Sequence, residues 1–401
     1  MAIAVGINKR VTYKEETTWG TAAGTSAGKV LRRVTSAFNL EKETYQSNEI
    51  RTDYQVQDMR HGVRSATGSV SGELSPGTYA DFLAAAVAKD FAAVDTITSV
   101  SVTMTAVAGG TGTIVRSTGN FLTDGVKIGD VIRLSATANA DKNLLVTSVV
   151  ALTLGVKTLN GTELTAVGTA ASVDIEFPGK KTFAPIAGHT DKSFTVEEWY
   201  SDIAQSEVFT GCKVNTVGMS VPSTGLVTCD FGFMGKDLAQ TGTSAYFSSP
   251  TAQGTSGIFA AVNGALMING AVVAIVTDLS ININRNMQNA TAVGSNSLVE
   301  MFEGRIMVDG SFSAYFQDAS LRNLFKDETE ASLVVVMSTG TANDADFFSI
   351  TLPRIKVNSN SKDDGEAGIV AQHSFMALLN SAGGTGTASE KTTISIQDSA
   401  A

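Results

Sequence analysis

Met59-Arg60-His61-Gly62-Val63-Arg64-Ser65-Ala66-Thr67-Gly68-Ser69-Val70-Ser71-Gly72-Glu73-Leu74 is the run whose reading decides the fold. Val70 alternates with Ser69 and Ser71, the period of a strand with one buried face. A strand is therefore expected over roughly Val63 to Leu74, with Met59 to Gly62 leading into it. Upstream, Ala37 to Tyr45 has the same texture, with Phe38 and Leu40 on one face and Asn39 and Glu41 on the other. Gln46 to Asp58 joins the two. It is polar and charged, and more than twice the roughly 2–5 residues of an ordinary hairpin loop, a length that marks functional or disordered loops. Downstream, Ser75-Pro76-Gly77 stops the strand. Ser75 is expected to cap a helix with Pro76 at its first position, and Tyr79, Phe82, Leu83 and Val87 form a core-facing stripe at helical spacing.

The unit returns. Met59, Gly62, Gly68, Ser69 and Ser71 recur as Met301, Gly304, Gly310, Ser311 and Ser313, each 242 positions later. Phe82-Leu83 aligns with Leu324-Phe325 at the same offset, and Phe38-Asn39-Leu40 aligns with Ile281-Asn282-Ile283 at 243. Near the ends of the units, Gly225-Leu226-Val227 matches Gly368-Ile369-Val370 and Phe233-Met234 matches Phe375-Met376, at offsets of only 143 and 142. The first copy thus carries about a hundred extra residues between its helix and its closing strands. A supersecondary unit used twice predicts two similar domains, and repeats of one fold often stand in for subunits of a symmetric ring.

The extra segment, roughly Thr96 to Lys180, has almost no aromatics and reads as short Val/Ile/Leu/Thr runs between Gly and Asn turns, a small all-β barrel or sandwich. Ahead of it, Tyr13 to Gly24 reads as an extended arm or edge. Behind it, strands are expected at Ser193–Tyr200, Val208–Val214, Thr216–Val221 and Leu226–Met234, then a polar linker over Ala239–Gly257. The second copy reads as strands at Ala265–Ile268, Ala271–Thr277 and Leu279–Asn284, a long polar loop from Asn286 to Leu298, the returning strand within Val299–Phe316, a short helix opened by Gln317-Asp318-Ala319-Ser320, and strands at Leu333–Met337, Phe347–Val357 and Ile369–Leu379 around a turn at Asp363-Asp364-Gly365. The Gly/Thr/Ser-rich tail ends in Thr392–Ile396, an added strand or an arm. The expected layout is a discontinuous first domain (1–95 and 181–245), the inserted domain (96–180), a linker (246–257) and a second domain (258–401).

Composition narrows function by exclusion. The chain has 401 residues and a formal net charge of −10, the wrong sign for a protein that grips nucleic acid by its phosphates. No apolar run approaches the ~18 residues of a membrane span, and the Met1–Gly6 start lacks the basic and apolar regions of a signal peptide. Two cysteines, Cys212 and Cys229, do not make a disulfide framework and read as small hydrophobes. Gly-rich Ala108–Thr113 and Ala382–Gly386 are not followed by helix-forming sequence and so are not phosphate loops. His61, His189 and His373 are scattered without zinc spacing. Asp363-Asp364-Gly365-Glu366 lacks calcium-loop spacing, and there is no nucleophile elbow. Neither cofactor nor catalytic residue nor metal ligand is expected.

Val11-Thr12-Tyr13-Lys14-Glu15-Glu16-Thr17-Thr18-Trp19-Gly20, then Leu40-Glu41, then Gly68-Ser69-Val70-Ser71-Gly72-Glu73-Leu74, with two strands joined by a long polar loop and a Ser-Pro-Gly helix start, resembles the tail tube (major tail) proteins of long-tailed bacteriophages. The insert is similar to the small β-domains that decorate some tail tubes. The resemblance implies a mostly β chain: two tail-tube-type β-sandwich or half-barrel domains, each flanked by a short helix, plus a small all-β domain on the outer surface. It implies a virion protein, assembled in the host bacterial cytoplasm, whose rings stack into a tube through which double-stranded DNA passes without specific binding. With two domains per chain, three chains per ring with pseudo-sixfold symmetry are expected. The partners implied are other copies of the chain, then tape measure, terminator and tip proteins, and no membrane. Ring stacking is expected through Tyr45, Glu49, Arg51, Asp53, Tyr54 and Asp58 of the first loop and Met287, Asn289 and Asn296 of the second, both buried only when the next ring docks. Glu41, Glu43, Glu73 and Asp309 are expected to make the channel acidic. Two other classes are compatible with the composition. One is a capsid decoration or surface-layer component; the other is a β-rich enzyme or carbohydrate binder, which the lack of an aromatic cluster at Trp19 or Trp199 disfavours.

Overall fold

The computed structural model of the chain describes residues 3–273, 275–364, 366 and 368–401. Gly365 of the expected Asp363–Gly365 turn and Ala274 of the expected Ala271–Thr277 strand lie outside the described residues. The chain is mostly β, with a large antiparallel system, a closed six-stranded barrel, a small two-stranded sheet and two short helices.

One order of pairing runs through the large sheet system twice. In the first half the neighbours are Lys29–Val30, Lys9–Glu15, Phe194–Tyr200, Gln205–Pro222, Thr228–Gly235, Met59–Glu73 and Thr35–Gln46. In the second half they are Ala271–Val272, Gly264–Ile268, Ala331–Ser338, Phe347–Lys362, Val370–Ala377, Met307–Tyr315 and Val276–Asn284. Gly68 lies opposite Phe38 and Gly310 opposite Ile281, so the paired registers carry the 242 and 243 offsets of the sequence. Both halves fold over an apolar core. In the first, Phe38, Phe82, Phe194, Phe209, Phe231 and Phe233 meet in tilted and edge-to-face contacts with ring centroids between 5.2 and 5.7 Å apart, the geometry that aromatic quadrupoles favour.

Several elements differ from the sequence reading. Val208–Val214 and Thr216–Val221 are one strand, Gln205–Pro222, whose register slips by one residue at Asn215. Phe347–Lys362 slips at Asn358 in the same way. An inserted residue kinks a strand without ending it, and here each long strand passes from one sheet layer to the other. The N-terminal part of Gln205–Pro222 lies between Phe194–Tyr200 and Asp237–Gly242; its C-terminal part runs between Thr228–Gly235 and Val276–Asn284. Residues 239–242 therefore belong to a strand. The linker beyond is strapped down by buried Phe247, with the Tyr246 amide donating to Glu197. Of the Tyr13–Gly24 segment read as an arm or edge, Tyr13–Glu15 closes the strand Lys9–Glu15, which pairs with Phe194–Tyr200 and Lys29–Val30, and residues 16–24 are turns and irregular chain. The tail ends in Ser395–Asp398, buried between Lys180–Phe183 and Phe348–Thr351.

The first helix starts later than expected. It spans Ala80–Val87 with Tyr79 at the N-cap, while Ser75 and Thr78 close a turn through their hydroxyls, 2.6 Å apart. Tyr79 is still buried, its hydroxyl donating to the Arg32 carbonyl at 2.9 Å. Ala88 ends the helix in the left-handed region (φ 58°), which lets the Lys89 amide reach the Ala84 carbonyl. The second helix, Ser320–Lys326, buries no residue fully.

The barrel is built from Ile97–Val107, Thr111–Arg116, Val131–Leu134, Leu144–Val150, Thr153–Thr158 and Val167–Glu176. It has its own core around Ile114, Phe121, Ile132, Leu144, Leu154 and Ile175. Val131 and Leu145 point out of it and pack on Met267, Val334, Val336 and Phe347 of the second half. The barrel, inserted in the first half, thus rests on the second.

Candidate assembly surfaces

Thr216–Pro222 pairs with Asp278–Asn284 over seven antiparallel positions, from Thr216 opposite Asn284 to Pro222 opposite Asp278. This ladder joins the halves edge to edge. The result is one run of eight strands: Thr35–Gln46, Met59–Glu73, Thr228–Gly235, the end of Gln205–Pro222, Val276–Asn284, Met307–Tyr315, Val370–Ala377 and the end of Phe347–Lys362. One face is the core side, carrying Phe38, Val70, Phe231, Val217, Ile281, Phe312 and Phe375.

The residues alternating with these make an open polar face. Ser, Thr, Asn and Gly dominate it; the acids are Glu41, Glu73, Asp230, Asp278 and Asp309; the rows from Thr35 to Glu41 also hold Lys356, opposite Met376 in the row of Asp230 and Asp309 and paired with Glu328 at 3.0 Å, and buried Lys213, opposite Met234 and paired with Asp191. Its side chains bond to one another across strands. The Thr67 hydroxyl donates to Glu41 at 2.7 Å, the Ser71 hydroxyl donates to Asp230, the Asn282 amide donates to Asp309 at 3.1 Å, and Ser280 and Ser311 hydroxyls lie 3.0 Å apart. Of the acids expected at a channel, Glu41 and Asp309 lie within this face and Glu73 at one end of it. Glu43 lies beyond a register slip and accepts from the Tyr45 hydroxyl. Asp230 and Asp278 were missed. The alternation of Asp230 with Phe231 and of Asp278 with Leu279 was the available signal.

The join between halves is sealed at one end by the second long loop. Its strands Gln288–Ala290 and Glu300–Phe302 pair with each other, and Met287, Leu298 and Met301 pack on Trp19, Val63 and Met234 of the first half. The Arg64 amide donates to the Asn296 carbonyl at 2.9 Å. Met287 is therefore buried within a single chain, contrary to the expectation that it awaits a docking ring; covering apolar Met234 and Val63 is the physical reason. Asn289 and Asn296 remain exposed. Beneath the loop, the Arg285 guanidinium donates to the Ala85 carbonyl at 2.6 Å and pairs with Glu303, and the Lys213 ammonium sits 2.6 Å from Asp191. Asp191 is held below the usual carboxylate range by its hydrogen bonds and the two cations, against the cost of burial; burial and Asp191 itself push Glu303 up.

The first loop has no such seat. Ile50 and Tyr54 are almost wholly exposed, and Glu49 and Asp58 are exposed. Arg51 donates to Asp53 at 2.8 Å and to Gln57 at 2.6 Å, so the loop is braced from within. Tyr45, 56% exposed, stands at its base.

A family model described as phage tail tube protein matches residues 6–386. The chain belongs to the phage tail tube family. No curated protein matches it. Membership makes this tail tube protein a structural component of a phage tail and of the virion. Among the described residues no group of three or more His, Cys, Asp or Glu could hold a metal ion, and no helix is long and apolar enough to cross a membrane. Cys212 and Cys229 are free, buried thiols, both raised above the ordinary thiol value by burial. Buried His373 is stacked on Phe312 with centroids 5.0 Å apart, and burial lowers its pKa.

Proposed function

We propose that this tail tube protein carries two tube units per chain, 1–95 with 181–245 and 258–401, and that three chains close a ring of pseudo-sixfold symmetry. Rings stack into a tube whose acidic channel conducts DNA. The observation that carries this reading is the pairing order that runs twice and joins edge to edge through Thr216–Pro222 and Asp278–Asn284. A chain that already links two like units by a sheet edge needs half as many copies to close a ring of a given circumference.

The open polar face is the channel wall in this reading. Its acids offer phosphates repulsion, and its Lys356 is paired with Glu328, so DNA slides past. The tips of the long loops, Ile50 and Tyr54 in the first and Val293 in the second, are the stacking contacts; all three are exposed, and apolar exposed tips of this kind favour docking. The base of the second loop seals the join inside the chain. The barrel sits on the outside of the ring, and tape measure, terminator and tip proteins meet the tube at its lumen and ends. Assembly takes place in the host cytoplasm.

Counting subunits in end-on averages of purified tubes by electron microscopy tests the reading. Three chains per ring, with six similar lobes, is the expected result. Six chains per ring would overturn it.

A further inference from the structure

Leu333-Val334-Val335-Val336-Met337 is apolar at every position, the pattern of a strand covered on both faces. Leu333, Val335 and Met337 belong to the core of the second half, while Val334 and Val336 point the other way and are buried as well. The equivalent outer face of the first half is polar. Thr12 lies opposite Glu197 there, where the second half has Met267 opposite Val334. The linker covers that polar face, the Tyr246 and Phe247 amides donating to the Glu197 carboxylate. The outer face of the second half needs an apolar cover instead, and Val131 and Leu145 of the barrel supply it.

A connection beside this face differs in the same sense. Phe194–Tyr200 and Gln205–Pro222 are joined by four residues, 201–204, whereas their counterparts Ala331–Ser338 and Phe347–Lys362 are joined by eight, 339–346. The barrel grips the longer connection. The Asn143 amide donates to the Asn343 carbonyl at 2.9 Å and the Asn143 side chain to the Ala345 carbonyl at 2.7 Å. Arg133 donates to the Asp344 carbonyl at 3.0 Å and Asn160 to the Thr341 carbonyl at 2.9 Å. Elsewhere on the seam a buried ion cluster spans three parts of the chain. Lys181 of the first half lies 2.5 Å from Asp130 of the barrel and 3.4 Å from Glu390 of the tail. Gln397 of the last strand takes the Val131 amide at 2.8 Å and donates to the Val131 carbonyl at 3.0 Å.

We propose that the inserted barrel is a brace: it fixes the angle at which the two halves of one chain meet along Thr216–Pro222 and Asp278–Asn284. Neighbouring strands accommodate twists from about −10 to −35°, so a single ladder of seven positions leaves that angle loose. The second long loop seals one end of that same line. The barrel makes a separate connection. The chain enters and leaves it beside the Ala92–Lys181 pair of the first half, which exchanges two amide bonds of 2.9 Å, and the wall carrying Val131 and Leu145 rests on the second half. A joint held at two places off one line cannot swing about that line. In the tube reading above, the fixed angle is the curvature of the channel wall; the brace itself is a property of the single chain and is tested there.

Double electron–electron resonance on the unassembled chain reads the angle. Spin labels on Asn39→Cys and Ser361→Cys, both exposed, stand on the first and last strands of the eight-stranded run, and buried Cys212 and Cys229 stay unlabelled. The braced chain should give one narrow distance peak. Val131→Asp with Leu145→Asp sets two carboxylates in the apolar seam and spares the barrel core, to which neither side chain belongs; the narrow peak should be lost to a broad distribution. Arg133→Ala with Asn160→Ala removes only side-chain bonds to 339–346 and should broaden the peak less. Hydrogen exchange monitors the seam: the Asn143 amide should exchange faster in both variants, while Thr111–Arg116 of the barrel and Ala331–Ser338 of the second half stay protected. Broad distances with the seam open and both parts folded uphold the brace. A peak unchanged in position and width while the seam exchanges freely overturns it and leaves the ladder, the sealing loop and the last strand to set the angle. A seam that stays closed in the folded variants overturns it as well, since the contacts named would not be what holds the barrel down. Should the aspartate pair fail to fold, the milder pair decides by the same two criteria. Tube formation enters none of these readouts, so failure of the brace and failure of the tube reading are separate results.

Discussion

At the scale of single residues, the carboxylates that hold this chain together are not the ones its sequence draws attention to. Glu16 sits in a Thr/Gly/Ala-rich stretch that reads as an arm, yet its carboxylate is buried. It accepts from the Gly20 and Gly211 amides at 2.9 and 2.8 Å and from the Ser193 and Thr195 hydroxyls at 2.7 and 2.9 Å. Three of these four partners lie 177 to 195 residues away, so no local pattern exposes the role. Asp398 is buried near the C-terminus and accepts from the amides of Gly77, at 2.9 Å, and Ala400, also at 2.9 Å. Burial outweighs those bonds and lifts its pKa to about 6. A carboxyl raised on folding binds its proton more tightly in the native chain than in the unfolded one. Its stabilising contribution is therefore full below the unfolded value near 4 and is lost as pH rises through about 6. Asp398→Asn should flatten this dependence. Denaturant melts of wild type and variant between pH 4 and 6 should show a difference in slope of up to about 1.4 kcal/mol per pH unit, with wild type the one that weakens as pH rises.

Whole elements were legible where alternation is clean and illegible where a kink interrupts it. The strands around Val70, Phe38 and Ile281, the first helix stripe and the barrel texture all follow from local periodicity. Gln205–Pro222 reads as two strands because Asn215 breaks the alternation; only the register shows that the break is a bulge between sheet layers. The seating of Met287 and Leu298 was hidden for a similar reason, since their partners Trp19, Val63 and Met234 are brought near only by the joint between halves. The last strand illustrates the limit most directly. Ser395–Asp398 is too short to be distinctive, but it pairs on both sides, with Lys180–Phe183 and Phe348–Thr351, and Ile394 and Ile396 are fully buried. It ties the two halves together. Ending the chain after Lys391 should therefore remove two ladders and two buried isoleucines. At about 1.5–3 kcal/mol for each such side chain, the expected loss is at least ~3 kcal/mol. Thermal denaturation of the soluble truncated chain should show a large drop in midpoint; a midpoint unchanged from the full chain would mean the strand is not part of the cooperative fold.

Charge acts at the scale of the whole molecule. The chain is acidic overall, but what matters for a tube is that one eight-stranded face carries Glu41, Asp230, Asp278 and Asp309, while Lys356, at the end of the row of Asp230 and Asp309, is paired with Glu328. In the proposed tube such a face would let DNA pass without being held, in keeping with a composition that points away from nucleic-acid binding. If this face lines the channel, converting it to a cationic one should turn a slide into a trap. Asp230 and Asp309 are suited to the change because each makes one cross-strand side-chain bond on this open face, with Ser71 and Asn282, so the core is untouched. Tubes of the Asp230→Lys, Asp309→Lys double variant should retain a short fluorescent DNA duplex at low ionic strength, whereas wild-type tubes let it wash through. Retention should fall steeply with added salt, because each phosphate contact releases condensed counterions and log affinity drops by about 0.9 per contact for each tenfold rise in salt. Double-variant tubes that form normally and hold no duplex even at low salt would place the face away from the lumen and send the search for the channel wall elsewhere on the ring.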